Sequence, residues 1–422
     1  MTKLLYIIYE KVGAKLFLLL WVYFFIIALY NPVTAGFNLS NFVLFLGLMV
    51  LLILKNGSLK LFSYKRINVF LIYAFYVYLS ITLLYSIDKH SSITIFIKLI
   101  IPYMFSILLL NTIKTEKHFR MFINILMYSG AAAAIYGCIQ YFFGLSNYVL
   151  QAVNGTFIYR SVGAFNLANV FASFLAMLIP FMVYKIKITK NKFVKFIDLI
   201  LVVTSVISLY LTYSRWAIIC LIISFVLYGI KHFIYQVTTN RIPVFKITIF
   251  FPIVVALIMY VFNKYSDTIN TLFFDRGSND VRQSSLTFVL QHFKPWGSGL
   301  GNGNEGVIVD SNYVKLLIDT GVIGLSLFLL LILTFYVGLR RRSKGPVSLG
   351  NVYIITGISL MVFIFNGVLE TPLYNSVINI FFGIYIYILN ADKGILTQKK
   401  DNSTEVEVKV KRKRKKVYRL TW

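Results

Sequence analysis

Only two cysteines, Cys138 and Cys220, occur among the 422 residues, and both lie within apolar runs. No disulfide framework or thiolate metal site can be built from them. The four histidines, His90, His118, His232 and His292, are scattered without metal-ligand spacing, and neither an HExxH motif nor a paired-carboxylate pattern occurs. The sequence thus offers no metal centre. Charge is scarce as well, since Asp, Glu, Lys and Arg make up 14% of the chain. What fills it instead is 58% hydrophobic residues, 17% of all residues being aromatic, with a mean hydropathy of +0.77. Those values are far from the averages of soluble domains and define a polytopic membrane protein.

Apolar runs of about 20 residues, each long enough to cross a hydrocarbon core as a helix, recur along nearly the whole chain. Twelve spans are expected, at 14–31, 37–54, 67–86, 93–110, 121–143, 164–184, 196–212, 215–230, 244–262, 313–338, 350–368 and 372–390. The division between the seventh and eighth rests on the short stretch from Tyr213 to Arg215. A bilayer satisfies no open backbone, and the alternation of an outer-membrane barrel is absent, so the expected fold is an all-α transmembrane bundle. It forms one domain over residues 1–390, with a long loop at 263–312 and a basic tail at 391–422. Lys3 and Lys11 precede the first span and Lys15 stands at its start, as in a signal peptide, but its apolar stretch leads to a second span, so it reads as an uncleaved anchor.

The net charge of +27 suggests nucleic acid until its distribution is examined. Residues 1–15, 55–66, 111–120, 185–195, 231–246, 340–344 and the tail from 391 hold 33 of the 42 Lys and Arg residues. These segments alternate with the spans, so the positive-inside rule places them, and both termini, in the cytoplasm. The 263–312 loop then lies outside. In the tail, the basic run Lys411 to Lys416 reads as a solvated segment on anionic membrane lipid, each residue contributing about 1 kcal/mol; a protein or nucleic-acid partner is the alternative reading there.

Within the outer loop, "GSGLGNGNEGVIVDSNYVKLLIDTGVIGL" carries Gly297, Gly299, Gly301 and Gly303 ahead of an apolar helix. It resembles a phosphate-binding loop, but the Lys-Ser/Thr of a P-loop is missing and no strand precedes it. Two readings stay open: a flexible turn, whose glycines serve as a hinge or mobile lip, and a set of backbone N–H groups exposed to an anion. Trp296 and Tyr313 flank it and are candidates for stacking on a sugar.

Among the charges on this side, five are candidates for function: Arg160, Arg215, Arg282, Asp310 and Glu370. A single arginine at a helix end reads as snorkelling to headgroups. Three of them, in a chain that concentrates its cations on the other face, point to an anion site, because the guanidinium fork stays charged and can hold two phosphate oxygens. A lipid-linked pyrophosphate is the natural anion there. Asp319 is expected to pair with Lys315 one helical turn away. Asp310 either caps the tenth span, as Ser311 or Asn312 also could, or serves as general base for a sugar hydroxyl.

An Arg ahead of "GAFNLANVFASFLAMLIP", then "LTYSRWA", then an Arg about a dozen residues before "KPWGSGLG", then "DSNYVKLLIDTGVIGL", occur in that order. Together these resemble the O-antigen polymerase and ligase (Wzy-type) superfamily of bacterial envelope glycosyltransferases, over about residues 155–330. The resemblance implies an inverting, metal-independent transfer without nucleotide or cofactor, at the outer face of the bacterial plasma membrane. The donor would be an undecaprenyl-pyrophosphate-linked oligosaccharide and the acceptor a hydroxyl. Arg160, Arg215 and Arg282 would hold the pyrophosphate, with Asp310 and Arg215 catalytic and Glu370 a possible acceptor contact. Ligases of this kind carry a histidine where this chain has Asp310, which suits a polymerase that lengthens one lipid-linked chain at a time. A chain-length regulator or a flippase would be its protein partner. Two alternatives remain: a ligase moving finished glycan to lipid A core, protein or a wall polymer, and a transporter of lipid-linked sugar or polysaccharide.

Overall fold

The computed structural model describes residues 46–50, 53, 58–62, 66–145, 149–151, 157–165, 167–238, 287, 291, 293–301, 309, 311–343 and 347–391. Among the described residues, nine helices carry the architecture: α1 (Ile67–Leu84), α2 (Lys89–Thr112), α3 (Glu116–Phe142), α4 (Ala168–Ile188), α5 (Lys192–Leu211), α6 (Arg215–Thr238), α7 (Asn312–Ser343), α8 (Val347–Asn366) and α9 (Ser376–Asn390). Six of them, α1 to α5 and α7, are long and apolar enough to cross a membrane. Each of the expected spans between 67 and 230, and between 313 and 390, coincides with one of these helices. The expected spans at 14–31 and 244–262, and most of that at 37–54, of the 263–312 loop and of the tail, lie outside the described residues.

Polar side chains start several helices. Asp88 accepts from Ser91 N, Thr115 from His118 N and Asn191 from Phe193 N, at 3.1, 3.3 and 2.9 Å. Each supplies an acceptor to a first-turn N–H that has no partner within its own helix. Between α3 and α4 a short antiparallel pair, β1 (Val149–Gln151) and β2 (Phe157–Tyr159), adds a hairpin that the sequence did not announce, with Leu150 opposite Ile158. Three residues per strand are too few to show the period of two that reveals strands.

The bundle is built for a lipid surrounding. Along α5 the exposed side chains include Phe193, Phe196, Leu199, Ile200, Val203, Val206, Ile207 and Tyr210, nearly all apolar, while Asp198, Ser205 and Ser208 turn inward and are buried. A helix in water would show the reverse pattern. Small residues set the helix spacing on the inner side. At Gly137 an added Cβ would lie 2.6 Å from Ser161 Oγ and 2.7 Å from both Phe171 and Ser208. The protein is thus a membrane-embedded helical bundle.

Two local irregularities shape its interior. Pro102 within α2 has no N–H to give the Lys98 carbonyl four residues earlier, and Asn379 Nδ2 of α9 donates to that carbonyl instead, at 2.8 Å. Helix α7 is broken at Gly321, whose φ of 67° and ψ of −167° are not helical.

Candidate functional site

Arg160 follows β2 directly and is only 6% exposed. Helix α5 ends at Leu211, so the carbonyls of its last turn have no helical donor. Arg160 Nε donates to the Thr212 carbonyl at 2.7 Å, and Ser161 N donates to that of Leu211 at 3.0 Å. The other side of the guanidinium, Nη2, donates to Asn169 Oδ1 at 2.7 Å. Tyr213 then reverses the chain in the left-handed region (φ 51°), and Ser214 N donates to Thr212 Oγ1 at 3.1 Å. This turn makes Arg215 the first residue of α6. The Tyr213 hydroxyl pairs with that of Tyr141 at 3.0 Å. Burial, reinforced by Tyr141, pushes the Tyr213 phenol above its ordinary pKa, so it stays neutral.

The second wall of the site is the junction of α6, α7 and α8. Trp216 Nε1, one residue after Arg215, donates to Phe365 O at 3.0 Å, and Tyr313 Oη donates to Ile364 O at 2.7 Å. Asn312 N donates to Gly367 O (2.8 Å) and Glu370 O (3.0 Å), while its Oδ1 accepts from Leu373 N at 3.3 Å. Glu370 N donates to Asn366 O at 2.9 Å. Glu370 and Tyr313 both lie within electrostatic reach of Cys220 on α6. A buried polar chain connects the two walls: Asn366 Nδ2 donates to Ser173 Oγ, Ser173 Oγ to Asn169 O at 2.7 Å, and Asn169 Oδ1 receives Arg160. Arg160, Arg215, Glu370 and Tyr313, distant in sequence, are therefore gathered at one end of the bundle.

Of the two readings of the glycine segment, the described part, up to Gly301, forms a turn whose N–H groups face inward. Pro295 to Gly301 docks into the break of α7: Ser298 N donates to Ile318 O (2.7 Å), Gly299 N to Asp319 O (3.1 Å), and Val322 N to Pro295 O (2.9 Å). Gly301 N donates to Asp319 Oδ1 at 3.3 Å, and Gly297 N to Lys294 O at 2.9 Å. Four N–H groups that could have faced an anion are thus spent inside the protein. Gly297, Gly299 and Gly301 all have positive φ, and a Cβ on Gly299 would lie 2.7 Å from Ser86 Cα. Their conformation and close packing fit a fastened turn, so any hinge motion there would have to break these bonds. From the α1–α2 side the Tyr85 hydroxyl donates to Trp296 O at 2.9 Å and Ser86 Oγ to Leu300 O at 3.0 Å.

Trp296 and Tyr313 are not brought together by any contact among the described residues. The Trp296 side chain is 68% exposed, whereas Tyr313 packs inward with its ring 6.4 Å from that of Phe328. Asp319 is buried and bound to Gly301 N, while Lys315, its expected partner, sits 4.9 Å above the Tyr374 ring. Arg282, Gly303 and Asp310 lie outside the described residues. Sequence reasoning missed Asn169, Ser173 and Asn366. Their signal is faint, because a single Asn or Ser within an apolar run stands out far less than a charge does.

In comparisons with known proteins, no family model and no curated relative matches the chain.

Proposed function

We propose that the protein is a polymerase that joins undecaprenyl-pyrophosphate-linked oligosaccharide repeat units into a surface polysaccharide at the outer face of a bacterial plasma membrane. The observation that carries this reading is the position of the two arginines on either side of the Tyr213 turn. Arg160 is bonded to Thr212, three residues before Arg215 opens α6. Guanidinium groups so placed at the end of an apolar bundle suit a phosphate-bearing lipid headgroup. The charge distribution of the sequence puts that end outside, where nucleotide is not at hand.

In this mechanism an acceptor sugar hydroxyl attacks the anomeric carbon of the donor. The new C–O bond forms as the bond to the pyrophosphate oxygen breaks, inverting the anomeric centre. Arg215, with Arg160 and Arg282, neutralises the charge that collects on the departing lipid pyrophosphate. Asp310 takes the hydroxyl proton, and Glu370, on the α8 side, contacts the acceptor. Every group in this scheme is a protein side chain, so neither metal nor cofactor takes part.

The test is reconstitution of the purified protein in liposomes with undecaprenyl-pyrophosphate-linked repeat units, chelator and no nucleotide. A ladder of products that Arg215→Ala reduces by about 10²–10³ in rate is expected. A single transfer seen only with an added acceptor would make it a ligase, and intact substrate crossing the bilayer would make it a transporter.

A further inference from the structure

At the opposite end of the bundle, where Arg66 Nη1 donates to Asn390 O and Arg342 Nη1 to Ala391 O, a groove of about 370 Å³ opens between α6, α7 and α8. That volume falls in the range of about 300–1,000 Å³ typical of small-molecule sites. One flank is apolar, formed by Leu227, Ile354, Ile358 and Met361. Its mouth is polar, with Arg340 and Ser343 on the last turn of α7, and Tyr228, Tyr336 and the buried Tyr353 complete the lining. From Tyr353 to Met361 it follows α8 for about 12 Å at 1.5 Å per residue. Gly357 keeps the middle open, since a Cβ there would have no atom within 4 Å.

We propose that this groove is a binding site for one anionic glycerophospholipid of the leaflet at the basic end. An acyl chain would lie along Leu227, Ile358 and Met361, and the phosphate would meet Arg340. Four features select this occupant. The groove is open to the bilayer, where Leu227 is 41% exposed. The charged residue of its lining, Arg340, lies at one end, as the charge of a lipid does. Arg340 is exposed and sits in the basic run Arg340 to Arg342, and cationic pockets between helices at this face recruit acidic headgroups. A second arginine borders the mouth, because Arg342 Nη1 donates to Tyr353 Oη at 3.2 Å. The inference is independent of the glycosyl-transfer reading, and it differs from a tail that lies on lipid without a built cavity.

The experiment is native mass spectrometry of the full chain in detergent after mixing with phosphatidylglycerol or phosphatidylcholine. Wild type is expected to retain one phosphatidylglycerol and no comparable phosphatidylcholine. Arg340→Gln, at an exposed side chain that leaves the fold intact, should weaken retention about fivefold. Gly357→Leu should abolish it by filling the groove, with gel filtration confirming that the variant is folded. Replacing Lys411 to Lys416 by Gln should leave the bound lipid in place, and inorganic phosphate should not displace it. Equal retention of the two lipids, or wild-type retention in Arg340→Gln, overturns the proposal. So does loss of the lipid only when the tail is neutralised.

Discussion

Gly297 and Gly321 stand against each other with no room for a side chain: a Cβ on Gly297 would lie 2.6 Å from Gly321 N. Breaking α7 at Gly321 releases the Ile318 and Asp319 carbonyls and the Val322 N–H, and Pro295 to Gly299 supplies partners for all three. Within a bilayer such exposed backbone is tolerated only when protein satisfies it. The glycine segment therefore works as a plug for a broken helix.

Gly321→Ala should accordingly cost about 2–5 kcal/mol, combining a conformation that only glycine adopts easily with an overpacked contact. Gly357→Ala, in a regular helix with nothing within 4 Å, should be neutral or stabilising by up to about 1 kcal/mol. Thermal melts of the two variants in one detergent test this. A Gly321→Ala protein that melts with wild type would show that the plug does not constrain the helix.

Asn379 and Pro102 should be energetically coupled through the Lys98 carbonyl. Asn379→Leu leaves that carbonyl without its 2.8 Å donor, at a cost of about 1–3 kcal/mol. Pro102→Ala restores the helical N–H, so in that background the same change should cost markedly less. Strict additivity in the double-mutant cycle would disprove the compensation.

How much of this was legible in the sequence depends on the kind of signal. Apolar runs located the helices well, because a span needs length and hydropathy and little else; even the division at Tyr213 to Arg215 falls where the turn lies. Arg160 and Arg215 stood out because charge on that side is rare. The break at Gly321 was hidden, since a glycine in a span reads equally as a packing site. The glycines of 297–301 signalled a turn, yet whether their N–H groups faced an anion or a helix depended on a segment about twenty residues further along the chain. Asp319 illustrates the same limit. Helical spacing offered Lys315, but the fold supplied Gly301 N.

Lys185 and Asp198 form an ion pair at 3.3 Å with side chains only 7% and 0% exposed. Tyr128 receives from Lys185 Nζ at 2.7 Å, and Thr189 Oγ1 donates to Asp198 Oδ2 at 2.9 Å. Asp198→Leu would strand the ammonium, and a loss of about 3–5 kcal/mol is expected. Adding Lys185→Met should recover most of it, because two apolar side chains then replace two charges. A double variant that melts no higher than the single one would place the cost elsewhere, in the packing of α4 against α5.

Arg160 and Arg215 should separate by conservative substitution. Arg160 is buried and spans two acceptors, Thr212 O and Asn169 Oδ1, each at 2.7 Å. A lysine ammonium is a compact head that cannot reproduce that planar bridge. Arg160→Lys should therefore lower stability by about 1–3 kcal/mol as well as the rate of chain growth. Arg215 opens a helix and is half-buried, so Arg215→Lys should melt like wild type while its rate falls, by less than in Arg215→Ala because the charge persists. Melting curves and product ladders on the same preparations separate the two effects. If Arg160→Lys kept its melting point and lost activity, Arg160 would be a direct headgroup contact; if Arg215→Lys lost both together, Arg215 would be a structural residue of the turn and the proposed site would lose its centre.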